Sequence, residues 1–347
     1  MPETRILARY GPLTVIGGAN EGRFPWCNTV VVGGAAVIDP GCGTDALKQV
    51  ASEIWGGRGP EFVVNTHYHF DHVSGNSLFP AARWLNNPKE AEAFRSRAGL
   101  GQLMGAAEVY GADVAAQWLQ GAGLLGKPRL GLAPYYRKEW WASTGRVDGV
   151  YQVGREFALG GASGRGGTGG GGTGTGGYRS GVKVVMVETP GHTQGFCCPY
   201  FPEHGVVCTG DYDLTSFGPW YAGADSDFEA MRRSAGHLLE LDARHFVTGH
   251  QKGVVDRSQF EAGLRDFLAV IDRRHGEYLR LVREGRDFEA IVAAGVLYPP
   301  RFHVDPWIVM WERLSAAKHL RRLADEGWNV PPVEVRAPAD EVPPEGD

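Results

Sequence analysis

The stretch NTHYHFDH, residues 65–72, constrains what this chain can fold into more than any other. It places His67, His69, Asp71 and His72 within six residues, directly after the β-branched run EFVVNT. Three imidazoles and a carboxylate that close together repel one another in part when charged and leave ring nitrogens unused when neutral. A bound metal resolves both problems, because imidazole and carboxylate are good ligands for zinc and similar ions. Side chains alternate along an extended chain, so His67 and His69 share one side. The turn that follows lets Asp71 and His72 face a second position. The fold must therefore end a strand at a cleft and bring further ligands to it.

Three later segments offer such ligands. ETPGHTQG carries His192, CTGDYD carries Asp211 and VTGHQ carries His250. A single histidine in a turn is ordinarily a surface or supporting residue, and His192 alone would signify little. In each segment, however, the ligand type follows glycine at a strand-to-loop junction, where rigid strands can aim side chains into one cleft. Seven candidate ligands on four segments suit two metals with one ligand shared.

The rest of the chain reads as mixed α/β layers. LTVIGG, NTVVVGG, AAVIDPG and EFVVNT are short strands bounded by glycine or polar residues. Between the last two, TDALKQVASEIWGG reads as a helix capped by Thr44 and stopped at Gly56. Residues 87–145 form a helical insertion, opened by Asn87 as cap and Pro88 at the first position. It ends in Tyr135, Tyr136, Trp140 and Trp141, which read as core or as the wall of a pocket. Strands resume at GVYQVG and REFALGG. The segment 160–181 then contains thirteen glycines in 22 residues. It has almost nothing to bury, so it reads as a flexible surface loop. It lacks the G-K-[ST] of a phosphate-cradling loop, and strands lie on both sides of it. GVKVVMVETPGHT, GVVCTGDYDL and RHFVTGH are further strands, with a helix over 226–240 between the last two. Residues 254–330 read as a helical extension. Phe260, Leu264, Phe267, Leu268 and Ile271 mark one apolar face, and a later helix is capped by Asp305 with Pro306 first and Gly327 as its stop. Residues 331–347 are rich in proline and acid and read as a disordered tail.

A net charge of −5 without a long basic run argues against a nucleic-acid partner. No stretch has the roughly 18 apolar residues of a membrane span, and the start lacks the h-region of a signal peptide. Five cysteines, odd in number and without C-x-x-C, do not form a disulfide framework. They read as small buried hydrophobes in a cytoplasmic protein.

These residues together resemble the metallo-β-lactamase superfamily. Its H-x-H-x-D-H signature appears as His67 to His72, its later ligand positions at His192, Asp211 and His250 in the right order, and its early strand ending in aspartate as VIDPG, at Asp39. The resemblance covers roughly residues 13–253. It implies a four-layer αββα sandwich over residues 1–253, with metals at one edge. It further implies one ion on His67, His69 and His192, a second on Asp71, His72 and His250, and Asp211 bridging them. Asp39 would orient ligands without binding metal. Secreted β-lactamases commonly use a cysteine ligand where this chain has Asp211, which makes antibiotic hydrolysis an unfavourable reading.

The expected function is a metal-dependent hydrolase of a small ester, thioester or lactone, with Asp71 and Asp211 as the catalytic carboxylates. Two divalent ions, zinc foremost and manganese or iron as alternatives, would supply a bridging hydroxide. Leaving-group protonation falls to metal-bound water in preference to Tyr212. Competing expectations are an iron oxidoreductase of the sulfur dioxygenase kind, a phosphodiesterase, and a scaffold with a vestigial site. The partner is a small-molecule substrate; the oligomeric state is open, a homodimer included.

Long flexible loops contribute little stability. Deleting residues 162–177 should therefore leave the melting temperature and metal content of the purified protein unchanged; a large fall in melting temperature would show the segment to be packed.

Overall fold

The structure is a computed structural model that describes residues 5–112, 145–160 and 181–337. The four aromatics Tyr135, Tyr136, Trp140 and Trp141, nearly all of the glycine-rich segment and the tail beyond residue 337 lie outside the described residues. Seven strands form the first sheet in sequential order: β1 (Ile6–Tyr10), β2 (Leu13–Ile16), β3 (Thr29–Val32), β4 (Ala36–Ile38), β5 (Phe62–Val64), β6 (Arg83–Asn86) and β7 (Gly149–Val150). β1 to β4 run antiparallel and β4 to β7 parallel. The second sheet has six strands: β8 (Glu156–Leu159), β9 (Val182–Glu188), β10 (Cys197–Phe201), β11 (Val206–Gly210), β12 (His245–Thr248) and β13 (Val254–Asp256), in the order β13-β12-β11-β10-β9-β8.

Alternation along these strands builds the layers. Val30 and Val32 point between the sheets, where they join Val15, Ile38, Val64, Val184, Met186, Phe201 and Val206 in one core. Val31, one residue out of phase, joins Val37, Leu47, Val50 and Trp55 under the helix Thr44–Trp55. On the far side, Val207 and Phe246 meet Met231, Leu238, Phe260 and Phe267 from the helices Phe228–Glu240 and Arg257–Arg283. Both faces of each sheet are thus covered, which gives the αββα arrangement. Each such buried side chain contributes roughly 1.5–3 kcal/mol.

All five cysteines are buried and unbridged. Among the described residues no helix is long and apolar enough to cross a membrane.

Two local expectations, the Thr44 cap and the disordered tail, need correction. Thr44 is the first helical residue and not the cap; Gly43, at φ 111°, turns the chain into the helix and leaves Thr44 already inside it. The described part of the insertion is helical, with three short α-helices, Ala91–Arg95, Arg97–Met104 and Ala106–Tyr110, broken at Ser96 and at left-handed Gly105. The tail is held against the body as far as residue 337. Arg313, fully buried on the helix Pro306–Asp325, forks onto both oxygens of Glu289 at 2.6 and 2.7 Å. Its remaining donors reach the carbonyls of Glu334, Val335 and Arg336 at 2.7–2.9 Å. Backbone carbonyls carry no side-chain signature, so composition read this strap as disordered.

Arg313→Ala leaves those acceptors without donors, so it should cost about 3 kcal/mol. Exposed Arg321→Ala should stay within about 0.5 kcal/mol of the parent. Denaturant unfolding measures both; equal midpoints would mean the strap is not tied through Arg313.

Candidate metal centre

Every predicted ligand lies just past the C-terminal end of a strand, at one edge of the sandwich. His67 and His69 follow β5, and a single helical turn, Phe70–Val73, carries Asp71 and His72. His192 follows β9, Asp211 follows β11 directly, and His250 follows β12. Two glycines permit the approach. A Cβ on Gly191 would stand 2.3 Å from the backbone nitrogen of Met231, and one on Gly41 would stand 1.6 Å from the carbonyl oxygen of Asp71. Any side chain at either position would displace a ligand.

The ligand atoms fall into two groups that could each hold a metal ion: His67, His69, His192 and Asp211, and Asp71, His72 and His250. In the first, His192 Nε2 is 2.8 Å from His69 Nδ1, 3.2 Å from His67 Nε2 and 2.8 Å from Asp211 Oδ2. In the second, His250 Nε2 is 3.1 Å from Asp71 Oδ2 and His72 Nε2 is 3.8 Å from it. Asp211 touches both groups, since its Oδ1 lies 2.8 Å from His72 Nε2.

The outward nitrogens decide how the rings face. His192 Nδ1 donates to the carbonyl of Trp220 at 3.0 Å, His72 Nδ1 to Asp39 Oδ2 at 2.9 Å, and His250 Nδ1 to the carbonyls of Trp26 and Gly22 at 2.9 and 3.1 Å. An oxygen acceptor requires the proton on Nδ1, so each ring turns Nε2 inward as the ligand atom. Asp39 is itself fixed: its carboxylate accepts from the Thr66 backbone N–H at 2.8 Å and from the Thr66 hydroxyl at 2.7 Å. Its backbone sits at φ 47°, a strained setting for a non-glycine residue.

Electrostatics separates the rings. Burial and the adjacent imidazoles hold His67 and His69 well below the ordinary histidine range, so they are neutral. Burial opposes charge on His72, but Cys27, Asp211, Asp71 and Asp39 outweigh it and hold it well above that range. His250 is raised to about 10, where its bond to Asp71 and that carboxylate's charge overcome burial. Burial would raise Asp211, but His192 and His72 hold it well below the carboxylate range. Protons on His72 and His250 thus balance the acids, and a divalent cation would take their place. His72 Nε2 and Asp211 Oδ1 have no hydrogen-bond partner except each other, 2.8 Å apart, and His69 Nε2 is buried without a hydrogen-bond partner. Buried polar atoms are otherwise almost always satisfied. The donor set therefore fits divalent metal.

Tyr212 packs in the core behind the centre and donates to the Met231 carbonyl at 2.8 Å. Cys208 lies within β11 and outside both ligand groups. Sequence reasoning missed Thr66, although it stands beside the signature, and missed the carbonyl seats, which leave no trace in side-chain identity. It also missed most of the pocket. The centre floors a cavity of about 400 Å³ whose walls include Phe24, Phe217, Trp220, Tyr298 and Trp311. Asp213 lines it too, its carboxyl pushed up to about 6 by burial.

A four-layer sandwich with two clustered groups of candidate ligands at one edge defines an α/β protein with a possible metal site. The family model described as "Metallo-beta-lactamase superfamily" matches residues 26–131 and 128–250, and the chain belongs to that superfamily. Solved structures agree on the fold. A beta-lactamase domain protein from Burkholderia ambifaria aligns at 17% identity and TM-score 0.58, covering 94% of this chain and 90% of that one. A metallo-beta-lactamase family protein from Thermus thermophilus aligns at 20% identity and TM-score 0.50, covering 94% and 95%. No curated protein matches the sequence.

Supporting partners of metal ligands typically govern affinity by 10–100-fold. Asp39→Asn keeps the shape but weakens the acceptor of His72 Nδ1, so zinc affinity, measured by chelator competition, should fall by about tenfold or more. Unchanged affinity would remove Asp39 from the support of the centre.

Proposed function

We propose that the protein is a dinuclear metal-dependent hydrolase of a small ester, thioester or lactone, with zinc as its ion. The observation that carries this reading is the position of Asp211, whose two oxygens each stand 2.8 Å from a nitrogen of a different ligand group. On this reading His67, His69 and His192 would hold one ion and Asp71, His72 and His250 the other, with Asp211 within reach of both groups. When bound, such a pair supplies Lewis acidity, polarising an acyl oxygen and making water a nucleophile near neutral pH.

The chain's own residues do the rest. The carbonyls of Trp220, Trp26 and Gly22 and the Asp39 carboxylate keep the rings turned inward, so no reorganisation is needed as charge develops. Asp71 and Asp211 set the net charge of the centre. The pocket walls remove water from around the acyl group and hold it over the floor.

Loaded protein should contain close to two ions per chain by elemental analysis, and His250→Ala should reduce that to one. Asp211→Asn keeps the shape and removes the shared charge, so turnover should fall by at least about tenfold with loss of one ion. Asp213→Asn changes a pocket carboxylate outside both ligand groups, so it should retain both ions and cost less. A single iron with oxygen-dependent turnover, or loss of metal in Asp213→Asn with Asp211→Asn intact, would overturn this assignment.

A further inference from the structure

The walls of the pocket say more about the substrate than its floor does. Trp220 meets the His69 ring edge-on at 4.9 Å and Trp311 at 5.4 Å. Tyr298 stacks obliquely between Trp311, at 6.1 Å, and Phe217, at 5.7 Å. An unbroken aromatic face therefore runs from a candidate metal ligand to the mouth. Its polar tips turn to each other, since Trp220 Nε1 donates to the Tyr298 hydroxyl at 2.7 Å. Phe24 and Phe217 are the most exposed phenylalanines among the described residues, at 47% and 39%, and both line this mouth. Exposed aromatic rings grouped around a cavity gain when an apolar ligand covers them.

Charge narrows the class. Among the described residues no lysine or arginine lines the cavity; apart from the candidate ligand His250 on its floor, its charged side chains are the carboxylates of Asp71, Asp211 and Asp213. Behind the wall, the guanidinium of Arg274 stacks on Phe217 at 4.7 Å and donates to the carbonyls of Phe217 and Pro219. Away from the candidate metal centre, a phosphate or carboxylate on the substrate would find no cation among the described wall side chains. The origin of the wall matters too. Tyr298, Phe302, Ile308 and Trp311 all lie beyond residue 250, where the family match ends.

We infer that the pocket takes a neutral acyl compound bearing an extended apolar group, and that the segment from Tyr298 to Trp311 sets how much of that group is accepted. This deepens the hydrolase reading and rests on it for the reaction, but not for the binding. A cavity of about 400 Å³ lies within the range of small-molecule sites.

The test uses two substrate series on zinc-loaded protein, methyl esters from acetate to octanoate and alkyl acetates from methyl to octyl, followed by acid release. In one of them kcat/KM should climb about fourfold per methylene until the cavity is filled. Phe302→Ala and Phe217→Ala, both at partly exposed sites, should flatten that slope, lowering kcat/KM for the longest esters far more than for methyl acetate, while metal content holds. Independently, octanamide, which is neutral, should change the tryptophan fluorescence of the protein with or without metal, and octanoate should bind more weakly. Octanamide binding without ester turnover would support the pocket assignment and overturn the hydrolase reading. Turnover that is flat in both series, or tighter binding of octanoate than of octanamide to metal-free protein, would overturn the pocket assignment and leave the hydrolase reading standing.

Discussion

The contact between Asp39, Thr66 and His72 underlies the rest of the molecule. It joins the end of β4 to the segment after β5 and then to the helical turn that carries a candidate ligand. A carboxylate buried this far needs several donors to offset its desolvation. It has a backbone N–H, a hydroxyl and an imidazole, and the strained backbone at Asp39 is tolerated because those three bonds over-determine it. Once this corner is fixed, His67 and His69 have only one direction in which to project. The second sheet then completes the centre from the opposite side.

The ligands were legible in the sequence because their chemistry is local: a dense run of imidazoles has few uses, and a strand before it fixes the direction of its side chains. His192, Asp211 and His250 became legible only as a set. The strands β1, β6, β10 and β13 escaped notice for a physical reason. β6 is short and ends on asparagine, β10 is interrupted by a proline between its cysteines and its aromatics, and β1 and β13 are edge strands with little burial. Periodicity needs length and one consistently buried face, and these strands lack one or the other. The carbonyl seats of the histidines and the acceptors of Arg313 could not be read at all, since every residue type offers the same backbone oxygen.

The C-terminal helices are more than an appendage. Trp307, Met310, Trp311 and Leu314 do show the spacing of a core face, and they pack on the insertion helices through Phe94, Met104 and Val109. Trp311 and Ile308 on the same helix also reach the cavity. Helical periodicity cannot distinguish a residue that fills a core from one that borders a cavity beside it, because both are withdrawn from water. Separate clusters support the two tasks: one between the sheets beneath the edge that carries the candidate metal centre, another among the C-terminal helices around Tyr278, Ile291 and Leu320.

The centre is assembled from both sheets, with β5 supplying one half and β9, β11 and β12 the other. The distance between those halves is set by the side chains that fill the sandwich, Val64 and Met186 among them. A close-packed interior does not compress, so its thickness works as a spacer gauge for the ligand atoms. An overpacking or cavity-forming change there would reach the centre as an altered bite between opposing ligands, and a residue with no chemistry of its own would then tune the site as a ligand does.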